Sequence, residues 1–150
     1  MRPSRLVFGL AAAFAAAQLV PIARENPPVQ DEMPAPPAVR EILRRACYDC
    51  HSNETSWPWY SRVAPVSWWV LDHVKEGRGE FNASEWNRMS DARKLRLPRR
   101  LWREVSGGEM PPWYYTPMHP AAKLTAGDTA VLHAWYQAQP PAPEPTPPGR

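Results

Sequence analysis

The pentapeptide Cys47-Tyr48-Asp49-Cys50-His51 constrains this 150-residue chain more than any other feature, because it holds both of the chain's cysteines. Two cysteines separated by two residues make neither a multi-bridge disulfide framework nor a four-cysteine zinc site. They must serve one local purpose. A thioredoxin-like dithiol asks for a βαβ frame, and no stretch shows sustained strand alternation. Zinc asks for two further ligands, which His73, His119 or His133 would have to bring from elsewhere in the chain. The CxxCH spacing itself points to a third chemistry. Two thiols add across the two vinyl groups of one haem, and the next residue places an imidazole under the iron. Cys47 and Cys50 are therefore the expected attachment sites of one covalently bound haem c, with His51 as proximal ligand. The other ring nitrogen of His51 then needs an acceptor, typically a backbone carbonyl, to fix the tautomer.

The rest of the sequence suits an apolar prosthetic group. Eight Trp, five Tyr and three Phe are present, and every Trp lies between Trp57 and Trp135. A domain of roughly 100 residues buries a modest share of its unfolded surface, so a bulky apolar group adds core that it lacks on its own. The formal charge of +3 gives no sign of nucleic-acid binding.

Helical periodicity organises the middle of the chain. Val39, Ile42, Leu43 and Ala46 repeat at helical spacing from about Ala38 and run directly into Cys47. Val66, Val70 and Val74 mark a second helix from Val66 to about Lys75, stopped by Gly77 and Gly79. Ser84 is placed to cap a short segment through Trp86 and Met89. Pro98 suits the first turn of a helix carrying Leu101, Trp102 and Val105 up to Gly107. Thr125 with Asp128 forms a variant capping box ahead of Val131, Leu132 and Trp135. The expected fold is all-α, a small helical domain with long loops.

At the N-terminus, Arg2 and Arg5 precede an uncharged run of 18 residues from Leu6 to Ala23. This reads as an export signal, with Ala15 and Ala17 offering a cleavage pattern before Gln18. Its length also reaches the lower end of the roughly 17 to 25 residues that span a membrane, and an uncleaved anchor is the preferred expectation. The domains expected are 1–25 as signal or anchor, 26–37 as a Pro-rich linker, 38–139 as the haem-binding domain and 140–150 as a disordered Pro-rich tail. The mature protein is expected on the periplasmic side of a bacterial inner membrane, anchored through its N-terminal segment or soluble after cleavage.

Two stretches carry a resemblance. ACYDCHSNETSWPWYSRVAPVSWW, from Ala46 to Trp69, and GEMPPWYYTPMHPAAKLT, from Gly108 to Thr125, resemble the bacterial haem-binding domain family related to monohaem cytochromes c. The similarity covers roughly 27–137 and implies a cytochrome c-like domain. It also implies haem attachment through Cys47 and Cys50 and axial ligation by His51. Met110, in Glu109-Met110-Pro111-Pro112, is similar to the methionine-proline loop that supplies the distal thioether in cytochromes c, and the prolines stiffen that loop. His119 is the alternative sixth ligand, Met118 is a further competitor, and a core methionine packed on Trp113 is the plain alternative for Met110. His73 and His133 read as surface histidines.

Trp57 and Trp59 follow the motif and are candidates for the haem pocket, where rings pack on the macrocycle. Arg93, Lys94, Arg96, Arg99, Arg100 and Arg103 form a basic run, read as a solvated helix face ahead of a dock for a redox partner or anionic lipid. No hydrolytic or phosphoryl-transfer constellation accompanies the motif. The expected function is one-electron transfer to a partner protein rather than enzymatic turnover. The alternatives are a haem-based sensor or ligand-binding domain, or a peroxidase-like site using Glu109 or His119.

Overall fold

Helices form where the sequence carries apolar residues at helical spacing, and the computed structural model describes residues 3–140. In chain order the α-helices among them are α1 (Pro3–Ala17), α2 (Pro37–Ala46), α3 (Tyr48–His51), α4 (Val66–Glu80), α5 (Asp91–Ser106) and α6 (Ala126–Gln137). Short 3-10 turns at Trp59–Arg62, Trp86–Arg88 and Pro120–Ala122 join them. Among the described residues no strand forms, and β pairing is limited to an isolated bridge between Asp31 and Glu85. The fold is all-α.

The core is built on α2. Its Val39, Ile42, Leu43 and Ala46 are buried on one face, each large side chain contributing about 1.5–3 kcal/mol by leaving water. Against them pack Leu97 and Leu101 of α5, Leu132 of α6, and Met33, Tyr48 and Phe81. The start of α6 is held by the expected capping box: Asp128 N–H donates to Thr125 Oγ1 at 3.1 Å, and Thr125 N–H donates to Asp128 Oδ2 at 2.8 Å. Arg45, at the end of α2, pairs with Asp128 at 2.8 Å and ties the two helices together.

Several expectations are corrected. The uncharged run is helical only to Ala17. Gln18 turns to Ala64, donating from Nε2 to its carbonyl at 3.2 Å and accepting its N–H at 3.0 Å. Pro21 then lacks the N–H that a further turn needs. Among the described residues no helix is long and apolar enough to cross a membrane, which corrects the expectation of a spanning anchor.

The stretch 26–37 lies against the domain rather than forming a free spacer. The N–H groups of Gln30 and Asp31 donate to Ser84 O, that of Met33 donates to Ala83 O at 2.8 Å, and the Met33 side chain is 1% exposed. Helix α5 begins at Asp91, closing its first turn onto Ser90 O, so Pro98 lies inside the helix and not in its first turn. An interior proline costs about 3 kcal/mol, offset here by burying Leu97, Pro98 and Leu101 together. Ser84 does not cap a helix. It is buried, and its hydroxyl accepts the Asn53 N–H at 3.0 Å. The expected tail beyond Pro140 lies outside the described residues.

Candidate functional site

Helix α2 delivers the pentapeptide to the wall of a large cavity. The chain leaves α2 at Cys47 and re-forms a single turn, with the N–H groups of Cys50 and His51 bonding Cys47 O at 3.1 and 2.9 Å. Tyr48 points away, 3% exposed within the core, and fixes the turn from behind. Asp49 accepts the Ser56 N–H at 2.8 Å and the Tyr115 hydroxyl at 2.5 Å, joining the motif to two loops. Cys47, Cys50 and His51 all line the cavity.

His51 is tightly specified. Its Nδ1 lies 2.8 Å from Gly77 O, and because a carbonyl only accepts, Nδ1 carries the proton and Nε2 holds the lone pair. The ring stacks on Phe81, centroids 4.3 Å apart and planes within 8°. Burial holds the imidazole below its usual pKa, which keeps it neutral, the state that ligates metal. Here is the backbone acceptor that the motif requires, supplied by helix α4.

Gly77 explains why α4 runs past its expected end at Lys75. A Cβ on residue 77 would lie 2.5 Å from Cys50 O and 3.0 Å from Cys50 Cβ, so the helix meets the motif backbone to backbone. The cost of a mid-helix glycine, about 1 kcal/mol, is set against that contact. Val66, Val70 and Val74, the stripe that marked the helix, face the cavity with Trp69 and His73.

The cavity measures about 1020 Å³, at the top of the usual range of roughly 300–1,000 Å³ for small-molecule sites. Another part of its lining comes from the loop after α5. Gly108, at φ +78°, turns the chain so that the N–H groups of Glu109 and Met110 both bond Glu104 O, at 2.9 and 3.2 Å. Met110, Pro111, Pro112, Met118 and His119 line this side. Met110 is 40% exposed rather than a core methionine, and Trp113 is 81% exposed. His119 is engaged: its Nε2 lies 2.6 Å from the Tyr60 hydroxyl, and its ring stacks on Tyr115 at 4.0 Å.

The structure redistributes the other candidates. Trp59 lines the cavity at its exposed edge. Trp57 does not, because its indole N–H donates to Asn26 Oδ1 at 3.1 Å on another side of the loop. His73, expected at the surface, stands on the cavity wall between Trp69 and Tyr114, its Nδ1 on Trp69 O at 2.9 Å. His133 stacks on Trp102 between α5 and α6, away from the cavity. Glu109 is off the wall, whereas Glu104 is on it. Arg100, read as part of a solvated face, is the one cationic side chain lining the cavity among the described residues, and it pairs with Glu80. Gly77, Phe81 and Arg100 escaped the sequence. Gly77 alone left a signal there, lying three residues beyond Val74 on the valine-bearing face.

Two other chemistries fall away. Burial pushes the Cys47 thiol up to about 12 and the Cys50 thiol up to about 11, the reverse of the activated thiolate of a redox dithiol. Among the described residues no group of three or more His, Cys, Asp or Glu side chains is placed to hold a metal ion, so the other histidines complete no zinc site.

A large apolar cavity, a neutral histidine with one free ring nitrogen and two thiols beside it together fit a haem. The family described as haem-binding domain matches residues 12–138 of the chain. No curated protein and no solved structure matches it.

Proposed function

This chain belongs to the haem-binding domain family and binds haem, and from that premise we propose that it is an exported one-electron carrier holding a single c-type haem covalently. Cys47 and Cys50 would hold the macrocycle through two thioether bonds. His51 would ligate the iron through Nε2, and Met110 through its sulfur. The haem supplies a ferric/ferrous couple when bound.

The observation that carries this proposal is the hydrogen bond from His51 Nδ1 to Gly77 O at 2.8 Å, within the turn that presents both thiols to the cavity. It fixes the tautomer, orients the ring with Phe81 behind it, and raises the donor strength of Nε2.

On the other side, Met110 is favoured over His119. The Nε2 of His119 is committed to Tyr60, and a histidine ligand gives up that bond, whereas the Met110 sulfur carries no such commitment and its backbone is pinned to Glu104. Val70 and Val74 of α4 would help shield the macrocycle from water. Arg100, in a cavity lining that also holds Asp49, Glu76, Glu80 and Glu104, is the counter-charge available to a propionate. We assign the protein to the periplasmic side of the membrane on its Arg-flanked apolar N-terminal segment, and its partner is a redox protein that meets the cavity edge at the exposed Trp59.

Absorption spectra of the holoprotein in both oxidation states, with and without carbon monoxide, test the assignment. Six-coordinate spectra that resist carbon monoxide in wild type, and ready carbon monoxide binding in Met110→Ala, are expected. Ready binding by the unmutated ferrous protein would instead make this a ligand-binding domain. The peroxidase alternative is disfavoured, since Glu109 is off the wall and His119 is bonded to Tyr60.

A further inference from the structure

A second pocket, of about 300 Å³, opens away from the haem cavity where the segment after α1 crosses the start of α4. The segment is docked there by Gln18, paired with both backbone groups of Ala64, and by Arg24, whose Nη1 donates to Ser61 O at 3.0 Å. Arg24 and Arg62 both line the pocket, with Val20 and Ile22 closing one side. Among the described residues no acidic side chain lines it, so two arginines share one small space with no carboxylate beside them.

A second observation points to a ligand. Ser67 lies on the wall of this pocket, the residue is 2% exposed, and its hydroxyl is buried without a hydrogen-bond partner among the described residues. Leaving a buried hydroxyl unpaired is destabilising, a penalty that an acceptor within its reach removes. Ser67 also belongs to the first turn of the 15-residue α4, whose dipole favours negative charge at that end.

We propose that this pocket binds a phosphate group. Two arginines match phosphate oxygens through paired N–H donors, the serine hydroxyl supplies a further donor, and the volume admits a group of headgroup size. Phosphate reaches such a site from two sources, free in solution or in a phospholipid headgroup. The second is suggested by α1, which ends at the pocket and leaves Leu6, Phe8, Leu10 and Phe14 exposed. The site is assembled from residues that do not touch the haem cavity, so it stands independently of the haem ligation.

The test uses the full-length holoprotein at fixed ionic strength, titrated by calorimetry with inorganic phosphate and sedimented with vesicles of phosphatidylglycerol or of phosphatidylcholine. Three variants are compared: Arg24→Gln with Arg62→Gln, Arg62→Gln alone, and Arg96→Gln with Arg99→Gln as a charge-matched control on α5. Arg62 is exposed and makes no hydrogen bond to the chain among the described residues, so its single variant retains the fold. Phosphate binding weakened at least about tenfold by the Arg62 variant and spared by the α5 control supports the site with free phosphate as a ligand. Vesicle binding weakened in the same pattern, with no response to inorganic phosphate, supports it with a lipid headgroup as the ligand. No binding to either, or equal losses in the pocket and α5 variants, overturns it.

Discussion

Gly77 and Cys50 meet closely enough that no side chain fits between them: a Cβ on residue 77 would lie 2.5 Å from Cys50 O. The same glycine carbonyl receives His51 Nδ1 at 2.8 Å, so one residue of α4 sets both the approach of the helix to the motif and the orientation of the His51 imidazole. Gly77→Ala therefore forces backbone apart. We expect a loss of about 1–3 kcal/mol of stability, the usual cost of overpacking, with a lower yield of holoprotein. Urea unfolding measures it, and a variant with wild-type midpoint and yield would refute the packing argument.

This contact also shows what the sequence could and could not reveal. The α2 stripe, the capping box at Thr125 and Asp128 and the motif itself were legible because each is local, with partners within a few residues. Gly77 misled because a glycine in a helical pattern ordinarily marks an end, and only the tertiary approach of Cys50, 27 residues earlier, makes it an interior position. Pro98 misled for the same reason, since its burial with Leu97 and Leu101 is not a local property. Tyr60 and His119 lie 59 residues apart in sequence, and no spacing rule brings them together. The packed strap of 26–37 was hidden by its prolines, which read as a spacer although Met33 supplies a core side chain.

The two candidate distal ligands separate by substitution. Met110→Ala removes the thioether and should lower the reduction potential and admit carbon monoxide, whereas His119→Ala should leave the ligand bands in place. The His119 variant loses the bond to Tyr60, at a cost of about 0.5–1.5 kcal/mol in unfolding free energy. Absorption spectra together with denaturant titration distinguish the pair. Reversed spectral outcomes would transfer the distal role to His119.

Arg100 shares the cavity lining with four carboxylates and pairs with one of them, Glu80. Removing its charge with Arg100→Gln leaves the macrocycle in a more negative setting, which favours the ferric state, so the reduction potential should fall. Redox titration at constant ionic strength reads the shift. A potential equal to that of wild type would show that Arg100 serves only Glu80.

Acid should loosen α6 through Asp128. The Thr125 backbone N–H, with help from the Arg45 and Thr125 side chains, holds its carboxyl below the ordinary aspartate value, while burial opposes the shift. A group with a depressed native pKa adds stability above its unfolded pKa and loses it as pH falls through the native one. Wild-type stability should thus decline from about pH 5 downward, partly through this group. Asp128→Asn should be less stable at neutral pH and show a flatter decline in urea midpoints recorded across that interval. Parallel curves for the two proteins would exclude Asp128 as a contributor.

The most direct test of the whole account is the intact mass of the denatured, acid–acetone-extracted protein expressed with a c-type maturation system. A chain heavier by one haem is expected, with that added mass absent when Cys47 and Cys50 are both replaced by alanine. A wild-type chain at its apoprotein mass, with all haem in the extract, would contradict attachment at Cys47-Tyr48-Asp49-Cys50-His51.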